Sequence, residues 1–388
     1  MRSSFYCPTC EERRKPTPTC PICSTFIRYS ADSDALRRAI EGDFWAALPK
    51  RNRRIAIGEA NTPLVKLGRT SEELGITIYA KLESLNPTCS FKDRGSALAV
   101  SSVIDPETSY EGIVVASTGN TATSVAAYAA RAGVPCAVLV PAGTSTAKLS
   151  QAAAHGVGMF TVDGNFSECF SRAQAAADDR VLNATAVYSA NPYIACADRT
   201  VAFELLGDLG DVPDWVSVPV GAGPLLGGTY GGFAELANAK LASSVPAMLC
   251  VQARGCHPVV RAFDEGGPVS GWDELITTSI GAIADPLLGY AADGECTRRA
   301  VVESGGDAVA LEDDIIHEWT DQLAEWEGIY AEPASAASVA ALAESDAVDT
   351  GETAVGLITG HGLKEGDDHE PEIEGEGTVE TVRNALLN

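Results

Sequence analysis

The sequence predicts an α/β fold in two domains. Three observations carry this expectation. Short apolar runs alternate with stretches of helical spacing along most of the chain. A hydrophobic fraction of 45% comes with only 6% aromatic residues and 37 glycines, a composition suited to close packing of helices on sheets. The 388 residues also exceed the usual size of one domain. In order, 76–82 alternates like a strand, and the apolar runs 113–115, 137–140, 158–162, 215–220, 248–251 and 355–358 read as buried strands. Helical spacing covers 32–48, 121–132, 147–155, 166–177, 201–209, 229–241, 313–326 and 335–343. Strands that alternate with helices imply mainly parallel sheets flanked by helices, with ligands at the carboxyl ends of the strands.

Residues 1–30 read as a separate module. Cys7-Pro8-Thr9-Cys10 and Cys20-Pro21-Ile22-Cys23 give a C-x2-C-x9-C-x2-C spacing, two tight knuckles within reach of one tetrahedral ion. A structural zinc on Cys7, Cys10, Cys20 and Cys23 is the expectation, against four idle thiols. The other seven cysteines are scattered, so no disulfide scaffold is expected. The net charge of −25 repels nucleic acid and anionic membranes, so neither is an expected partner. Acidity spread this widely with few lysines fits a halophile's protein, the alternative being an ordinary acidic enzyme. The start, Met1-Arg2-Ser3-Ser4-Phe5-Tyr6-Cys7, carries no signal-peptide pattern, so a cytoplasmic location is expected. The uncharged stretch 215–234 holds six Gly and two Pro and is no convincing membrane span. An acidic tail, 365–388, is assigned no chemistry.

Lys92 stands out. It follows the apparent strand 78–82 and precedes helical spacing from Gly95, which puts its amine at a loop-to-helix junction. Residue type alone leaves open a surface lysine paired with Glu83 or Asp93. The surrounding segment, Ser90-Phe91-Lys92-Asp93-Arg94-Gly95, resembles the Schiff-base motif of threonine synthase and its fold-type-II relatives that use pyridoxal phosphate (PLP). The likeness continues in family order from about residue 59 to 364. It runs through Asn61-Thr62-Pro63-Leu64, Lys81-Leu82-Glu83, Asn86-Pro87-Thr88, Ser117-Thr118-Gly119-Asn120-Thr121, Gly164-Asn165-Phe166, Asn191-Pro192, Pro213-Asp214-Trp215-Val216, Glu332-Pro333-Ala334-Ser335-Ala336 and Thr359-Gly360-His361-Gly362-Leu363-Lys364.

The resemblance implies a two-domain fold-type-II enzyme, tryptophan synthase β-like. Its large PLP domain would take 31–95 and 186–364, and a smaller α/β domain 96–185. It implies Lys92 as the imine-forming residue, Asn120 on the ring hydroxyl and Thr359 on the pyridine nitrogen. Ser117, Thr118, Thr121 and Ser189 would hold a small amino-acid substrate, and a homodimer is the family expectation. A hydroxyl on the nitrogen does not keep it protonated as a carboxylate would, so the cofactor would be a weaker electron sink. Gly221-Ala222-Gly223-Pro224-Leu225, after the strand 215–220, fits a phosphate cradle of backbone N–H groups. The dinucleotide-binding fingerprint is not met there, because position 226 is Leu226 and no acidic residue ends the next strand, so NAD is not expected.

The implied reaction converts O-phosphohomoserine and water to threonine and phosphate, with Lys92 as proton shuttle. Three departures qualify it. The loop G-A-G-P-L is closer to that of serine and threonine dehydratases, and Cys89 replaces the family glycine. Ile194 stands where the family's phosphate-holding arginine is expected. Loss of that charged donor costs about 1.5–3 kcal/mol unless Arg199 or Lys148 replaces it. The alternatives are therefore a PLP-dependent β-eliminase, of dehydratase or diaminopropionate ammonia-lyase type, and a catalytically inactive binding protein.

Overall fold

The computed structural model describes residues 3–144 and 146–364. The acidic tail 365–388 lies outside the described residues, as does the side chain of Lys148. Two sheets organise the body. The larger has six strands in the order Asp307–Leu311, Ala247–Ala253, Trp215–Pro219, Thr353–Leu357, Thr77–Lys81 and Leu64–Lys66. All neighbours run parallel except the last pair, where Leu64–Lys66 forms an antiparallel edge. Every residue of Trp215–Pro219 is buried, as a central strand covered by helices on both faces requires. The smaller sheet is fully parallel, in the order Gly158–Val162, Cys136–Pro141, Gly112–Ala116 and Val181–Asn183.

The N-terminal module forms its own antiparallel sheet, with Ser4–Cys7 between Glu12–Arg13 and Arg28–Ser30. It is fastened to the body by Phe5 against Tyr193, by Phe26 stacked on Tyr188 with ring centroids 5.3 Å apart, and by the Ala31 amide donating to Glu235 at 2.6 Å.

Several boundaries differ from the sequence reading. The helix expected over 32–48 is Ser33–Ile40. Asp32 caps its start, and the chain leaves it through Gly42 at φ +97°. The helix expected from Gly95 begins at Lys92 and runs to Val103. The one expected over 229–241 spans Pro224–Asn238, since proline suits the first helical position, where no N–H is needed. The strands Leu64–Lys66, Val181–Asn183 and Asp307–Leu311 and the helices Pro258–Glu265 and Ala291–Glu303 were not anticipated. All eleven cysteines are free thiols. Among the described residues no helix is long and apolar enough to cross a membrane.

Candidate active site

Lys92 is the first residue of its helix, and the ground beneath it is a buried ionic cluster. Two residues on, Arg94 is fully buried and donates to both oxygens of Glu83 at 2.6 and 2.7 Å. It also donates to both oxygens of Glu204 at 2.5 and 2.8 Å and to Thr200 at 2.9 Å. Thr62 and Asn86 complete Glu83, and Lys81 pairs with Glu204 at 3.0 Å. Burial opposes the charge on Glu204, yet Arg94 and Lys81 win and hold its carboxyl down at about 2. The motif residues Thr62, Lys81, Glu83, Asn86 and Arg94 are therefore one scaffold that fixes the start of the Lys92 helix. Glu204, which closes it, was missed in the sequence because no motif marked it.

The Lys92 amine itself lies 4.1 Å from the centre of the Phe91 ring and has no hydrogen-bond partner among the described residues. Burial lowers its pKa to about 8, against the opposing charges of Asp198, Asp285 and Glu332. An amine that gives up its proton near neutrality is poised to form an imine and to move protons.

The end of the strand Thr353–Leu357 is stitched to this loop. The Phe91 amide donates to the Thr359 carbonyl at 3.0 Å, and Ser90 bridges Gly360. The Thr359 hydroxyl lies 2.9 Å from that of Ser335, which also accepts from the Gly360 amide at 2.8 Å. Ser335, to which the sequence assigns no role, is the partner that orients Thr359. Asn120, the first residue of the helix Asn120–Ala132, donates its side-chain amide to both oxygens of Glu332 at 2.9 and 3.0 Å. Gly119, not Asn120, holds the cap position. Glu332, also unassigned in the sequence, thus orients Asn120 while its charge acts on Lys92.

The loop Gly221–Leu225 leads from Trp215–Pro219 into the helix Pro224–Asn238, so the free amides of that helix start face the carboxyl end of the sheet. Gly223 adopts φ +92°, and a Cβ there would come within 2.1 Å of the Thr297 hydroxyl, which itself donates to the Ala222 carbonyl. A Cβ on Gly221 would sit 3.5 Å from that of Asp285. Asp285 accepts from Tyr290 and the Leu287 amide and is a charge felt by Lys92, so the cradle and the amine both lie near this carboxylate. The two glycines let this turn pack closely against Asp285 and Thr297, and the amides it leaves free at the helix start suit a phosphate group. With an unpartnered amine, a paired hydroxyl and an oriented amide beside it, the donor set fits PLP.

Ser117, Thr118 and Thr121 surround the start of Asn120–Ala132, just past the strand Gly112–Ala116. Ser117 accepts from the Gly119 amide at 3.2 Å. The Ser189 amide donates to Asp293 at 3.1 Å, while its buried hydroxyl has no partner among the described residues. Ile194 presses on Gly95 in the first turn of the Lys92 helix, where a Cβ would be 2.7 Å from Ile194 Cδ1. Arg199, expected as a substitute cation, points elsewhere. It pairs with Glu235 and donates to the carbonyls of Ala47 at 2.9 Å and Cys196 at 3.2 Å. These satisfied bonds hold it away from Lys92 and remove it as a phosphate ligand.

The four sulfur atoms of Cys7, Cys10, Cys20 and Cys23 lie within 4.8 Å of one another. The separations of 3.4, 3.5 and 3.9 Å between three of the pairs are close to the edge of a tetrahedron with bonds of about 2.3 Å, so this donor set fits zinc.

Residues 55–360 match the sequence profile described as "Pyridoxal-phosphate dependent enzyme". The chain is 38% identical over 330 residues to the threonine synthase of Mycobacterium tuberculosis, covering 84% of this chain and 86% of that protein. It is 36% identical over 324 residues to the threonine synthase of Methanosarcina acetivorans, covering 82% and 78%. Among solved structures, maize serine racemase superposes with a TM-score of 0.68 at 21% identity, covering 92% of this chain and 99% of that one. A likeness at that identity speaks for the fold alone.

Proposed function

Because this chain belongs to the family of pyridoxal-phosphate dependent enzymes, we propose that it is a threonine synthase, converting O-phosphohomoserine and water to threonine and phosphate. The observation that carries the reading is the joined geometry of Lys92, Thr359 and Asn120, in a chain that matches curated threonine synthases over more than four-fifths of its length. When bound, PLP supplies an electron sink that makes the Cα and Cβ protons of an amino acid removable. The chain's own residues do the rest. Lys92 takes the proton at Cα and returns it, with its pKa near 8 matching that task. Ser335 holds the Thr359 hydroxyl, which would meet the ring nitrogen, and Glu332 holds Asn120, which would meet the ring oxygen. The amides opening Pro224–Asn238 would hold the cofactor phosphate. Ser117, Thr118, Thr121 and Ser189 would hold the substrate, the first three beside a helix start suited to its α-carboxylate.

The body 31–95 with 186–364 would carry the cofactor, and 96–185 would close on the substrate. The module 1–30 would hold a structural zinc, and the assembly would be a homodimer. A halophilic, cytoplasmic origin fits the acidity. No nucleic acid or membrane partner is proposed.

One observation favours a second reading, β-elimination with ammonia release. The surroundings of Lys92 include Ile194 and carboxylates, and among the described residues Arg94 and Arg199 are both taken up by glutamates. The test supplies O-phosphohomoserine, threonine, serine and diaminopropionate separately and compares phosphate with ammonia release. Phosphate and threonine from the first substrate are expected; ammonia alone would replace the first reading with the second.

A further inference from the structure

The helix Tyr193–Asp198 ends in a carboxyl group that nothing in the described structure satisfies. Asp198 is 1% exposed, and neither of its carboxyl oxygens has a hydrogen-bond partner among the described residues. A buried polar group left open in this way calls for an explanation, and one explanation is a ligand that completes it. Its surroundings place it at the active site. Among the charges acting on the Lys92 amine, that of Asp198 is the strongest. Its Cβ abuts Gly228, one turn into the helix whose start forms the phosphate cradle; a side chain at that glycine would lie within 2.7 Å of it. Ile194, one helical turn earlier on the same face, presses on Gly95 three residues past Lys92. The guanidinium groups nearby are committed, Arg94 to Glu83 and Glu204 and Arg199 to Glu235, and the remaining cation is Lys92, the residue taken up by the cofactor.

We propose that Asp198, in its protonated form, binds the leaving-group oxygen of the substrate and donates its proton as that group departs. A shared proton would do here what a guanidinium would do by charge. The proposal rests on the threonine synthase reading for the identity of the leaving group, phosphate. Two acids of similar strength that face one another in a pocket retain a proton between them. The second ionisation of a phosphate ester lies at about pH 6. Burial pushes the Asp198 carboxyl up to about 7, although Lys92 and Arg94 pull the other way, while Glu83 adds to the rise. Those three groups face it from the Lys92 helix and the turn before it. Tyr188 faces it from the preceding loop and Cys196 from its own helix, and the cradle helix meets it with Gly228, which brings no charge.

The step balances. As the Cγ–O bond breaks, its electron pair stays on the ester oxygen, which takes the proton of Asp198, and phosphate leaves as hydrogen phosphate. Water that gives its hydroxyl to Cβ releases the proton that restores Asp198.

The test uses the holoenzyme and its Asp198→Asn and Asp198→Ala variants, assayed for phosphate release from O-phosphohomoserine across pH 6–9. In the wild type kcat/KM should fall about ten-fold per unit above the carboxyl's pKa. Asp198→Asn keeps a hydrogen-bond donor, so KM should change little and the alkaline fall should vanish, while kcat drops about 100-fold or more for want of a proton. Asp198→Ala should lose both kcat and KM. A variant that turns over as fast as the wild type, or faster because a repelling charge has gone, would overturn the proposal. A second readout does not depend on turnover. Inorganic phosphate should raise the wild-type melting temperature more at pH 6 than at pH 8, by a margin that exceeds the one seen with Asp198→Asn. Equal margins in the two proteins would overturn the role of Asp198. Absence of phosphate release by the wild type would overturn the threonine synthase reading, and the melting comparison would still decide for or against Asp198.

Discussion

Cys89 sits at φ +63°, a left-handed backbone conformation that L side chains enter at a cost. The threonine synthase pattern has glycine there, and the reason is now physical: the turn that delivers Lys92 needs positive φ. Cys89→Gly is expected to raise stability by about 1 kcal/mol, read from chemical denaturation. Lys92 offers a second check. Its amine, lowered by burial to about 8, must be uncharged to attack an aldehyde. Uptake of PLP by the apoprotein should therefore quicken about ten-fold per pH unit below 8 and level off above it, followed by the growth of yellow absorbance. Lys92, Asn120 and Thr359 could be proposed from the sequence because each lies in a block of fixed order. Asp198, Asp285 and Glu332 were not, because an acid becomes chemically telling only when tertiary packing removes its water, and local spacing carries no sign of that.

At the scale of elements, the helix Lys92–Val103 is held by charges more than by amphipathic patterning, since all but its first residue are buried. Replacing Arg94 with Met would leave Glu83 a buried charge without its cation and Glu204 with Lys81 alone. A loss of about 3–5 kcal/mol is expected, together with loss of cofactor binding, measured by denaturation and absorbance. The same cluster sets acid sensitivity. The Glu204 carboxyl lies at about 2 in the fold, against an ordinary 4.5. Its contribution is complete above pH 4.5 and disappears as the pH falls towards 2. Stability measured between pH 5 and 3 should therefore fall more steeply for the wild type than for Glu204→Gln. Apolar runs announced most of the sheet strands, because a strand covered on both faces has no polar side to interrupt it. Leu64–Lys66 escaped notice as a short, partly exposed edge, and Asp307–Leu311 because it opens on a carboxylate.

At the scale of the whole molecule, the N-terminal module touches the body at Tyr188, Tyr193 and Glu235, flanking the helix that carries Ile194 and Asp198. Its consequence reaches the substrate pocket. One zinc per chain is expected by metal analysis. A strong chelator should lower the melting temperature and, through that helix, raise KM with less effect on kcat. The module's four cysteines were legible because two x2 knuckles admit few other uses, whereas its docking surface depends on aromatic contacts far apart in the chain.

The order of strands in the larger sheet has a consequence for biosynthesis. Thr353–Leu357, the last strand in the chain, lies between Trp215–Pro219 and Thr77–Lys81. Until residue 357 has been made, two half-sheets each present an unpaired apolar edge to the cell, and either can capture a neighbour's strand. A ribosome that stalls shortly before that point would release a chain with most of its core residues, two adhesive edges and no Thr359 to complete the pocket.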